Sequence, residues 1–200
     1  MKTKIGIVDY GIVGNIYNVA NAVNVAGGQT LIIKNAEDFK KADKIVLPGV
    51  GTFSDAMQYM NSSGLLEPLL DQIKQKDTLG ICLGMQILSK IGFEYGETKG
   101  LDLIDAEVKE ILCDGKIPHM GFNSIDIIKK SPLFNTIENE SFYFMHSYEV
   151  VNYTDIVSLT SYNNHTFVSS VQKENIFGVQ FHPEKSRDAG IKLLNNFIKM

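Results

Sequence analysis

Residues 78–86 read TLGICLGMQ: a short apolar run, then a cysteine held between Gly80 and Gly84, then a segment with the composition of a helix. A strand that turns abruptly into a helix at a glycine-flanked residue belongs to open parallel sheets, whose ligands sit just beyond the carboxyl ends of the strands. The surrounding sequence repeats the pattern. KIGIVD (4–9) predicts a buried strand and is followed by a helix over about residues 15–26, with Gly27-Gly28 available to end it in the left-handed conformation. TLII (30–33) and KIVL (44–47) predict further strands, and residues 65–76 carry helical periodicity, with Pro68 tolerable only in the first turn. Strands alternating with helices imply parallel pairing with helices on both faces.

Beyond about residue 100 the texture changes. IDAEVKEIL, SIDIIK, SFYFMHSYEVV, IVSLT, TFVSSV and IFGVQFH are strand-like, closely spaced and separated by Asn, Gly and Asp turns. Residues 186–200 predict a closing amphipathic helix with Ser186 as its N-cap. The expected fold class is α/β, an open and mostly parallel sheet flanked by helices, with an antiparallel strand extension in the second half. With 200 residues and no linker, repeat or low-complexity stretch, one domain spanning 1–200 is expected.

Composition narrows the function. Apolar residues make up 44% and charged residues 21%, with a net charge of −4, which fits a globular protein and argues against nucleic-acid binding. The N-terminal apolar run is too short for a secretion signal or a membrane span, so a cytoplasmic location with no membrane association is expected, and the Asn-x-Ser/Thr matches at Asn61, Asn139, Asn152 and Asn164 carry no glycosylation. The two cysteines, Cys82 and Cys113, lack CxxC spacing and a His/Cys cluster; no metal, disulfide or cofactor is implied.

Cys82 has the setting of a nucleophile. The Gly80-x-Cys82-x-Gly84 spacing gives a sharp strand-to-helix elbow, the helix terminus favours thiolate, and the Leu83 N–H can face a developing oxyanion. A base stands in FGVQFHPEKS: with His182 and Glu184 both extended and two residues apart, their side chains share one side, so the carboxylate can orient the imidazole. Cys82, His182 and Glu184 then form nucleophile, acid/base and orienter. PGVG (48–51) follows the KIVL strand at the same sheet edge, so an amide of Val50 or Gly51 can supply a second oxyanion donor.

These segments resemble the class I, triad-type glutamine amidotransferases, from Lys4 to the last helix. Within that class PGVG, GICLGMQ, KIPHMGFNSI (116–125), FYFMHSY (142–148) and GVQFHPEKS are similar to the glutaminase subunits of imidazole glycerol phosphate synthases. The resemblance implies glutamine as substrate, held by Gly51, Gln86, Glu94, Ser147 and Tyr148. It also implies a heterodimer partner, a separate β/α-barrel cyclase subunit, faced by the loop around Asn15 and by Lys185. Ammonia would pass to that cyclase, which forms imidazole glycerol phosphate and a purine precursor in histidine biosynthesis. Two departures stand out. DYGIVGN (9–15) carries one residue more than the usual Asp-Tyr-Gly-x-Gly-Asn, and Phe122 replaces the usual tryptophan. Both fall where partner or substrate is expected, which leaves open a paralogue that feeds ammonia to a sugar-modifying enzyme.

Rival readings are weaker. Cysteine hydrolases and glyoxalases share the sheet and elbow but not Gln86 or the late His-Pro-Glu. Nucleotide binding at Gly11-x-x-Gly14-Asn15 lacks the GxGxxG spacing. His119 and His146 suit a packed or pocket-wall role, and His165 a solvated turn.

Overall fold

The computed structural model describes residues 2–11 and 15–200. Its main sheet has eight strands in the order Gln29–Ile33, Lys4–Val8, Lys44–Leu47, Thr78–Ile81, Ile176–Val179, His165–Lys173, Ile156–Tyr162, Asp126–Ile127. The first five pair in parallel, and the last three join antiparallel. The change of texture in the sequence marks the change of strand direction except at Ile176–Val179, which lies beyond residue 100 yet pairs in parallel with Thr78–Ile81. A four-stranded sheet (Tyr148–Val151, Ile104–Glu110, Ser89–Gly92, Thr98–Lys99) and a two-stranded ribbon (Ser141–His146 with His119–Ser124) complete it.

Side-chain alternation puts apolar residues on both faces of the parallel strands. Ile5, Ile7, Val46, Leu79 and Ile81 pack against helices Ile16–Val25 and Arg187–Lys199, through Val19 and Val23 of the first and Leu193 and Phe197 of the second. Val8, Ile33, Ile45 and Leu47 meet the other layer, where helices Ala36–Lys41, Phe53–Ser62 and Leu66–Ile73 contribute Phe39, Phe53, Met57 and Leu69. Helix Ile16–Val25 ends as its glycine pair predicts. Gly27 has φ +102°, its N–H donates to the Asn24 carbonyl and the Gly28 N–H to the Val23 carbonyl, which satisfies the last turn.

Several expectations shift. SFYFMHSYEVV is two strands, divided at Ser147 and shared between two sheets, and SIDIIK is split as well, Ser124 closing strand His119–Ser124 and Asp126–Ile127 joining the main sheet. Ser186 stands at the start of the last helix, but its side chain does not cap it. Instead its Oγ donates to the His182 carbonyl at 2.6 Å and accepts the Tyr143 N–H at 2.9 Å, tying the His-Pro-Glu segment to the ribbon. No helix among the described residues is long and apolar enough to cross a membrane.

Candidate active site

Cys82 sits at the elbow with φ 50° and ψ −108°, a backbone conformation in which a non-glycine residue is strained. Close packing holds it there. A Cβ on Gly84 would strike the Leu47 carbonyl, one on Gly80 the Gly84 carbonyl, and one on Gly49 the Ile81 carbonyl. The glycines therefore let the elbow and the PGVG loop approach backbone to backbone, which side chains would prevent. Leu83 opens the four-residue helix Leu83–Gln86, so its N–H has no acceptor within that helix, and the residue lines the cavity beside Cys82.

His182 lies directly after the sheet, fully buried, its N–H donated to the Tyr143 carbonyl at 2.8 Å. The strand expected to reach Phe181 ends at Val179, and Glu184 is not extended: Pro183–Lys185 forms a 3₁₀ turn. The turn still brings Glu184 back under the ring, with 2.8 Å between His182 Nδ1 and Glu184 Oε1. Since the carboxylate can only accept, Nδ1 carries the proton and Nε2 is left for chemistry; Nε2 has no hydrogen-bond partner among the described residues. Burial disfavours the imidazolium, but the nearby Cys82 sulfur and the Glu184 carboxylate outweigh it and push His182 up to about 10. Burial likewise works against the Glu184 carboxylate, and the bonds from His182 and Asn15 hold its pKa below the usual carboxylate value.

Cys82 borders a cavity of about 470 Å³. Of the expected ligand-binding residues, Gly51, Gln86, Glu94, Ser147 and Tyr148 all line it, together with Val50, Leu83, Glu110 and His146; among the described residues no lysine or arginine does. The Gln86 amide nitrogen donates to the Tyr148 carbonyl at 2.9 Å and to Gln180 Oε1 at 3.1 Å, which fixes the pocket wall. Glu94 accepts the Phe53 N–H at 2.8 Å; burial, with the charge of Asp55 adding to it and the Phe53 bond opposing, raises its pKa. Gly51 has φ +109°, so the PGVG loop does use a conformation that favours glycine.

Of the loop expected to face a partner, residues 12–14 lie outside the described residues; Asn15 itself is 2% exposed and its Nδ2 donates to Glu184 Oε1 at 2.6 Å, so its side chain turns inward to the His-Glu pair. Lys185 is half-buried, its Nζ 5.7 Å from the Tyr143 ring centre. Beside it Arg187 lies 4.8 Å over the Phe122 ring, and Phe122 and Met120 are exposed. Gly14, of the weak nucleotide motif, lies outside the described residues. Among the described residues no cluster of His, Cys, Asp and Glu could hold a metal ion.

Two residues were not singled out from the sequence. Gln180 Nε2 donates to Cys82 Sγ at 3.5 Å, and the Tyr10 hydroxyl is buried without a partner among the described residues. Burial, then the charge of Cys82, holds the Tyr10 pKa well above its ordinary value. Gln180 stands one residue past the strand end at Val179 and two before His182, a two-residue offset that could have pointed to it; Tyr10 gave no signal.

Residues 7–200 match the family described as glutamine amidotransferase class-I. The chain belongs to that family. Among curated relatives, imidazole glycerol phosphate synthase subunit HisH 1 of Campylobacter jejuni (strain RM1221) is 45% identical, covering 98% of this chain and 100% of that protein. Subunit HisH 2 of Methanococcus maripaludis is 43% identical over 98% of each. Of solved structures, a putative GMP synthase component from Thermoplasma acidophilum superposes with a TM-score of 0.74 at 20% identity, covering 100% of this chain and 94% of that one, a likeness of fold. PurLQS from Thermotoga maritima gives a TM-score of 0.74 at 16% identity, covering 100% and 99%. As an amidotransferase of this class, the chain is an enzyme, and its α/β fold is the fold of these relatives.

Proposed function

We propose that this amidotransferase, as one domain spanning 1–200, is the glutaminase subunit of an imidazole glycerol phosphate synthase. The observation that carries the chemistry is the buried His182 ring, held through Nδ1 by Glu184 at 2.8 Å with Nε2 left without a hydrogen-bond partner among the described residues, together with a Cys82 that borders the cavity. Cys82 Sγ attacks the glutamine carboxamide carbon, and the oxyanion is received by the Leu83 N–H and an amide of Val50 or Gly51. His182 Nε2 gives its proton to the departing nitrogen, the C–N bond breaks, and ammonia leaves a thioester on Cys82. Water then attacks with His182 as base, restoring the thiol and releasing glutamate.

Gly51, Gln86, Glu94, Ser147 and Tyr148 hold the substrate, with the carboxylate of Glu94 suited to its ammonium group. The acceptor of ammonia is a separate β/α-barrel cyclase subunit, docked in a heterodimer over the surface that carries Lys185. The names of the relatives, at 43–45% identity over nearly the whole chain, support this partner. A second acceptor, a sugar-modifying enzyme served by a paralogous glutaminase, is favoured by the exposed Phe122 in place of tryptophan.

The test is stoichiometric labelling of Cys82 by a diazo-ketone glutamine analogue, followed by ammonia transfer to the cognate cyclase and its ribonucleotide substrate. Labelling that survives Cys82→Ser would refute the nucleophile. Glutamine hydrolysis without transfer to that cyclase would favour the paralogue.

A further inference from the structure

The two remaining buried histidines form a chain that ends at the glutamine pocket. His119 and His146 face each other across the ribbon formed by strands His119–Ser124 and Ser141–His146, in register, and are 3% and 5% exposed. His146 Nδ1 is 2.9 Å from the Tyr148 carbonyl, His119 Nδ1 is 3.2 Å from His146 Nε2, and Asn123 Nδ2 is 3.5 Å from His119 Nε2. These contacts admit one proton arrangement. A carbonyl only accepts, so His146 carries its proton on Nδ1 and its Nε2 accepts; His119 must then donate through Nδ1 and accept from the Asn123 amide through Nε2. Every ring nitrogen is used. The rings of Tyr162 at 4.1 Å and Phe144 at 4.9 Å wall in His119, and Phe167 at 4.9 Å walls in His146, so neither imidazole can turn.

The chain has two informative ends. The Tyr148 carbonyl takes a second bond, from the Gln86 amide, and both residues line the cavity beside Cys82. At the other end, the strand that supplies His119 inward presents Met120 and Phe122 to solvent. We infer that His119 and His146 are positioning residues: as a neutral, directionally fixed pair they hold the Tyr148–Gln86 wall in its glutamine-binding geometry and join it mechanically to the exposed Met120–Phe122 strand. This role rests on the glutaminase reading of the cavity, but the arrangement of protons does not.

Two measurements on the full chain test it. Long-range ¹H–¹⁵N spectra of the imidazoles at neutral pH will show both His119 and His146 neutral and protonated on Nδ1. An Nε2–H tautomer or an imidazolium at either would overturn the chain. Steady-state glutamine hydrolysis, with the diazo-ketone analogue as an independent measure of occupancy, will show His119→Phe raising KM about tenfold, one lost positioning bond, with kcat little changed. His119→Asn will recover most of that, because its amide nitrogen can take the place of Nδ1–H. A KM equal to wild type in His119→Phe, or Asn as impaired as Phe, would leave only a packing role and overturn the inference. A wild-type chain that neither hydrolyses glutamine nor is labelled would fail the glutaminase reading instead, and the ring spectra would still decide the pair.

Discussion

A single carboxylate oxygen, Oε1 of Glu184, accepts both the Asn15 amide at 2.6 Å and the His182 ring N–H at 2.8 Å. Asn15 precedes helix Ile16–Val25 by one residue and is separated from Glu184 by 169 positions, so the last acceptor in the chain of proton contacts is set by the first crossover of the sheet. Asn15→Ala removes one donor to a buried charge. We expect glutamine turnover to fall about tenfold with folding retained, the worth of one hydrogen bond to a charged group. Asn15→Asp, which puts a second carboxylate against the first, will fall further. Turnover of Asn15→Ala equal to wild type would remove Asn15 from the site.

Glu184→Gln keeps the shape and removes the charge. The amide can no longer stabilise an imidazolium, and it can donate to Nδ1 and so favour the wrong tautomer. We expect a thermal midpoint near that of wild type and a fall in kcat on the order of a hundredfold or more. Kinetics unchanged from wild type would show that His182 needs no orienter.

Gly84→Ala tests the contact between elbow and loop. Its methyl group meets the backbone carbonyl of Leu47, which no side-chain rotation can relieve. The loss of stability should reach about 1–3 kcal/mol or more, read as a lower urea midpoint. Gly64→Ala, where φ is +72° but no atom is near, serves as a control that reports backbone strain alone. A Gly84 variant no less stable than that control would mean that the two segments are not in backbone contact.

Stability should be greatest near neutrality. Burial lowers His119 to about 4, and burial, with the charges of His119 and His182 adding to it, lowers His146 to about 3. Both are depressed on folding, so their contribution is full above the ordinary value of 6.5 and is lost as pH falls from there towards 3. His182 runs the other way. Its pKa rises on folding, so its contribution is full below 6.5 and is lost as pH climbs towards 10. Urea midpoints measured from pH 4 to pH 9 should trace a dome, and His119→Phe should flatten its acid side. An acid limb unchanged in that variant would contradict the assignment.

The parallel half was legible where a strand is a short buried apolar run, as at Lys44–Leu47, and where a helix carries its own stop signal, as at Gly27-Gly28. The elbow was legible because its glycines are spaced by a backbone need that few other structures share. Glu184 was found for a reason that does not hold: it reaches His182 through a 3₁₀ turn and not along a strand, and the two-residue offset permits both. Asn15 was read only as part of a loop expected to face a partner, since nothing near it in sequence signals that its side chain reaches Glu184, 169 positions away. Helix Phe53–Ser62 was not assigned, although Thr52 accepts the Asp55 N–H at 3.2 Å and this Thr-x-x-Asp pattern is a start signal. The four-stranded sheet is the hardest part, since Ser89–Gly92 follows the elbow helix with no turn residue between them and looks like its continuation.

Among the described residues the cavity wall carries Glu94, Glu110 and the buried His146, and no lysine or arginine. On the glutaminase proposal, glutamine would arrive there as a zwitterion with no net charge, and hydrolysis would turn its uncharged end into a second carboxylate. The same wall that welcomes the ammonium of the incoming molecule thus repels the outgoing one, and the pocket clears itself: glutamate should be a feeble inhibitor, and the rate of repeated turnover should not be throttled by its accumulation.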